Sequence, residues 1–131
     1  MNSKIVANNK KEMIKLSLSP KRAKAVLRIV KFKDHDFDIV YVPSLNLSGY
    51  GKDTQEAMDM LTNVVLDDFF ENITKLSESK VFNEFRKLGW SQNKILRKQF
   101  NISSAYVDKE GILKNFHLPE ETVINEEFIA V

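Results

Sequence analysis

The feature that most constrains this chain is an apolar stripe beginning just after residue 53. Met58, Leu61, Val65 and Phe69 recur at helical spacing, and Ile73 and Leu76 continue the series. Asp53 supplies an N-cap, and Glu56, three residues on, is placed to reach back to the cap's own amide. A one-sided helix of this length is stable only if something covers its stripe. The residues before it provide a candidate. "KAVLRIVKFK" (24–33) and "FDIVYV" (37–42) are rich in β-branched residues and flank the turn "DHD" (34–36), so they read as a hairpin. Leu27 and Ile29 take one parity while Val30 and Phe32 take the other, a change that a β-bulge would explain.

Further strands are expected at "EMIKLSLS" (12–19) and from Leu45 and Leu47 toward Gly49 and Gly51, where the glycines would let the chain turn sharply into the helix. A second helix is expected over 79–88, with Val81, Phe82, Phe85 and Leu88 inward and Gly89 as its stop. Trp90, directly after, is expected to close the core beneath that helix end. Asp108 to Gly111 read as the turn of a hairpin over 105–116, and "TVINEEFIAV" (122–131) as a last edge strand. The expected class is α+β, one antiparallel β-sheet packed on one face by two helices. A single domain over 1–131 is expected, its core at about 12–90 and residues 91–131 forming a C-terminal extension.

The chain has 131 residues, a net charge of +2 and no cysteine, which excludes disulfides and thiolate chemistry and fits a cytoplasmic protein. No apolar run approaches the roughly 20 residues that cross a bilayer. The small net charge conceals blocks of +9 over 1–33, −8 over 34–74, +5 over 75–104 and −4 over 105–131. Such blocks neutralise one another on packing or form opposed faces.

The stretch "FDIVYVPSLNLSGYGKDTQEAMDML", with "AVLRIVKFKDHD" before it, resembles the HicB-like family, the antitoxin partners of small HicA-type mRNA-cleaving toxins. Pro43, Leu45, Gly51, Glu56 and Ala57 fit its pattern of a strand ending in P-x-L, a turn strand, and a glycine-led helix start; Asp53 stands where the family usually has Thr. The resemblance spans about residues 24–76. It implies a degraded ribonuclease-H-like fold without catalytic acids, and a homo-oligomeric protein that neutralises a small basic toxin by occlusion. Asp59, Asp67, Asp68 and Glu71, on the polar side of the first helix, would then meet the toxin's RNA-binding face, and charge reversal at Asp67 and Asp68 would weaken binding.

Other functional readings have thinner support. Asp34, His35, Asp36 and Asp38 have the composition of a cation site but lack the spacing of a calcium loop, and a solvated turn is expected there. His117 has no acid–base companion nearby in the sequence, and no nucleophile, phosphate-loop or dinucleotide motif is present, so neither an enzyme nor a bound cofactor or metal is expected. DNA binding rests on the basic run Lys10, Lys11, Lys15, Lys21, Arg22 and Lys24, and on "LGWSQNKILRKQFNISSAYV" (88–107), which faintly resembles the helix-turn-helix of some HicB proteins. An orphan homo-oligomer of the same fold with a regulatory role is the remaining alternative.

Overall fold

The computed structural model describes residues 4–5, 12–18, 21–93, 99–102 and 109–131. Its spine is β3 (Lys21–Asp34), fourteen residues long and continuous through the expected bulge. Both parities of β3 are buried because both faces of the sheet are covered. Ala25, Leu27 and Ile29 face the main core, while Val30 and Phe32 face a second, smaller apolar cluster on the back.

Among the described residues, eight antiparallel strands form one forked sheet. One edge of β3 carries β8 (Asn125–Ala130), which in turn pairs with the two-residue β1 (Lys4–Ile5). The C-terminal strand is thus internal rather than the expected edge. Along the other edge of β3, two strands lie end to end. The N-terminal half of β3 pairs with β2 (Met13–Leu18), and the C-terminal half with β4 (Phe37–Val42). From β2 the sheet continues to β7 (Gln99–Ile102) and β6 (Trp90–Gln92); from β4 it continues to β5 (Leu47–Gly51).

A helical run covers the front of the sheet: α1 (Thr54–Met60), a π-helical turn (Leu61–Val65) and α2 (Leu66–Thr74). Asp53 caps it as expected, its Oδ1 accepting from the Glu56 N–H at 2.8 Å. The Glu56 carboxylate reaches the N–H of Lys52 at 3.4 Å, not that of Asp53. The π turn alters the expected stripe. The buried apolar positions are Ala57, Leu61, Leu66, Phe70 and Ile73, with Thr62 and Thr74 buried beside them, so the apolar step from Leu61 is five residues and lands on Leu66 instead of Val65. Val65, Phe69 and Met58 pack at the stripe's margin. The helix α3 (Glu78–Lys87) turns Val81 and Phe85 inward and ends at Gly89, whose φ of 93° favours glycine.

Gly49 and Gly51 do not turn the chain. They lie within β5, and the space their missing side chains leave is filled by α1: a Cβ on Gly49 would stand 2.5 Å from the Ala57 carbonyl oxygen, and one on Gly51 2.7 Å from the Ala57 nitrogen. These glycines bring helix and strand into backbone contact.

Two expectations for the C-terminal third are corrected. Residues 109–115 form α4 (Lys109–Asn115), not the second arm of a hairpin, and α4 lies on the back of the sheet, opposite the other helices. There Ile112 is buried, and Phe116 sets its ring edge-on to Phe32 and Tyr41 at 5.0 and 4.9 Å. The segment read as a helix-turn-helix contains strands β6 and β7, which pair Trp90 with Ile102 and Gln92 with Phe100; its residues 94–98 and 103–107 lie outside the described residues.

Candidate functional site

Two groupings of polar side chains stand out, one on the surface and one inside. The first is the outer side of the run 54–74, which holds five acids and no base. Asp59, Asp68 and Glu71 are exposed and Asp67 is half-buried. Asp59 accepts from the Gln55 side-chain amide at 2.9 Å, and Glu71 pairs with Lys75 at 3.4 Å, contacts within one helical turn that are worth little in water. Val64, on the π turn, is also exposed, so an apolar side chain lies one turn before the Asp67 and Asp68 carboxylates. An apolar centre with a charged margin is how protein-binding surfaces are commonly built.

The second grouping sits at the fork of the sheet. Where β2 has ended and β4 has not begun, the Arg28 N–H would point at no strand. Glu12 takes the missing strand's place: its Oε1 accepts from the Arg28 N–H at 2.8 Å and from the Ser44 hydroxyl at 2.7 Å. Ser44 belongs to the turn after β4, and its carbonyl accepts from the Trp90 indole N–H at 2.9 Å. Trp90 is buried, as expected, and fastens the tip of the β4–β5 branch to β6 on the other branch. Asn46, at a positive φ of 53°, closes the same turn by accepting from the Tyr41 hydroxyl at 3.0 Å. Burial raises the Tyr41 pKa above that of a free phenol. On the back of the sheet, the buried Arg28 guanidinium meets Glu126 at 2.8 Å.

Burial pushes the Glu12 carboxyl above the ordinary glutamate range. The Arg28 N–H, the Ser44 hydroxyl and the Arg28 charge pull it back down, while Glu126 adds to the rise. Its acceptor oxygen is occupied by main chain and a turn, so the chemistry of this grouping is to join two branches of a sheet. Sequence reasoning missed Glu12 because its signal is a strand-end position whose partner is sixteen residues away.

The remaining sequence candidates disperse. His35 is exposed at the β3–β4 turn with Asp34 beside it at 2.8 Å, while Asp38 faces Lys33 at 3.9 Å. His117 is exposed in the turn after α4. Among the described residues, no three histidine or acidic side chains gather as a cation would require, and no helix is long and apolar enough to cross a membrane. Of the basic run, Lys15 and Lys24 are exposed on β2 and β3; Lys10 and Lys11, and the side chains of Lys21 and Arg22, lie outside the described residues.

No family model, curated protein or solved structure matches the chain.

Proposed function

We propose that this chain is a non-catalytic, cytoplasmic binding module of the HicB-like kind, which neutralises a small, basic, RNA-cleaving protein by covering its RNA-binding face. The observation that carries the reading is the run 54–74: twenty-one residues with five carboxylates, no basic side chain, and the apolar Val64 exposed among them. A basic face that binds RNA phosphates would be drawn to such a surface, and occupancy would exclude the RNA. The resemblance over residues 24–76 adds support, since it spans the strands and helix that build this surface.

The test is retention of a companion by the protein isolated from its native cell. Asp59→Lys with Asp68→Lys is the variant of choice, because both side chains are exposed whereas Asp67 is half-buried. The reading expects a stoichiometric, small, basic companion whose affinity falls about five- to thirtyfold in the variant at low salt, each reversal contributing roughly 0.5–1 kcal/mol. A companion held equally by both forms would refute it.

A further inference from the structure

The acidic run borders an unfinished sheet edge. Among the described residues β5 pairs only with β4. Its outer edge exposes main chain at Ser48 and Tyr50, the parity that does not face β4: the Tyr50 N–H points away from the sheet and donates to the thioether of Met60 at 3.5 Å. A thioether is a weak acceptor, standing where the carbonyl of a neighbouring strand would sit. The strand itself, Leu47–Gly51, carries no charge, proline or bulge to discourage pairing.

Three of the four large apolar side chains exposed on the described surface belong to β4, β5 or the helix packed against β5. Phe37 and Tyr50 stack edge to face, centroids 6.0 Å apart, on the back of the β4–β5 branch. Val64 is exposed one helical turn after Met60 on the front. An added strand would thus find apolar side chains on both of its faces, and carboxylates beyond them on the helix.

We infer that the free edge of β5 receives an extended segment of the basic partner as an additional strand, its alternate residues apolar and basic. This deepens the acidic-face reading and rests on it. Charge selects this occupant over a second copy of the chain, because pairing two β5 edges would bring two acidic helices toward each other. The segment's carbonyl would replace Met60 as acceptor for the Tyr50 N–H, as strand addition requires.

The probes are two acetylated peptides of equal charge, five Lys-Val repeats and five Lys-Pro repeats; only the first can form a strand. The inference expects the Lys-Val peptide to bind about tenfold tighter, through main-chain bonds the other lacks. Ser48→Pro removes an outward N–H and leaves the β4 ladder intact, and should bring the two peptides within about twofold. Asp59→Lys with Asp68→Lys should weaken both. As a readout needing no variant, amide exchange at Ser48 and Tyr50 should slow with the Lys-Val peptide alone. Equal binding of both peptides, lost on charge reversal, would overturn the added strand and leave the acidic face standing. Binding unaffected by charge reversal, or no binding, would overturn both. A dimer of the chain abolished by Ser48→Pro would overturn the inference in favour of a second copy.

Discussion

Replacing Glu12 tests the fork. Glu12→Ala removes the oxygen that accepts both the Arg28 N–H and the Ser44 hydroxyl proton. Arg28 and Ser44 are each only 6% exposed, so neither donor readily finds water instead. Leaving a buried donor unsatisfied costs about 1–3 kcal/mol, and the serine hydroxyl can rotate toward another acceptor, so the expected loss is about 1–3 kcal/mol, that of the Arg28 N–H. Glu12→Gln keeps an amide oxygen at the same place and both bonds, and should change stability at pH 7 by less than about 1 kcal/mol. The pH dependence separates the two roles of the carboxylate. Because burial raises its pKa in the folded state, Glu12 favours folding when protonated. That contribution is full below about pH 4.3, the unfolded value, and is lost as pH rises through the higher folded value. The stability of Glu12→Gln relative to the parent should therefore increase across that interval. Urea unfolding of the three proteins between pH 4 and pH 8 measures all of this. Equal losses for Ala and Gln, or an unchanged Ala variant, would refute the role of Glu12 as a substitute strand.

Two further substitutions probe the contacts that hold the binding surface in place. Gly49→Ala forces a methyl against the Ala57 carbonyl and the Leu61 backbone, so α1 must lift from β5; a loss of about 1–3 kcal/mol is expected in urea unfolding, and a neutral result would contradict the backbone contact. Trp90→Phe keeps an aromatic ring beside Phe85 but leaves the Ser44 carbonyl without its indole donor, and should lower stability by about 1–2 kcal/mol.

The elements legible in the sequence were those specified by neighbours in the chain. The β3–β4 hairpin and α1 follow from β-branched runs, a turn, and a cap whose partners lie within four residues. What escaped was set by distant contacts. The apparent change of parity in β3 was a strand buried on both faces, and only α4 reveals that. That helix was itself obscured by Gly111, which weakens a helix by about 1 kcal/mol; packing of Ile112 and Phe116 against Phe32 and Tyr41 outweighs so weak a preference. The segment 88–107 faintly resembled a helix-turn-helix, yet pairing with β2 and burial of Trp90 and Phe100 made strands of its residues 90–92 and 99–102. Within the acidic surface, the positions of Asp59, Asp68 and Glu71 were legible because helical periodicity separates them from the stripe. The π turn that moved the stripe to Leu66 had no such local signal.

On the proposed function, the outer face of the run 54–74 receives a basic protein. Hydrogen exchange of the protein alone and with its retained companion tests it most directly. The amides between Thr54 and Thr74 should exchange more slowly in the complex, and this protection should diminish when Asp59 and Asp68 are replaced by lysine. Protection confined to other elements, such as α3 or α4, with the run 54–74 unchanged, would contradict it.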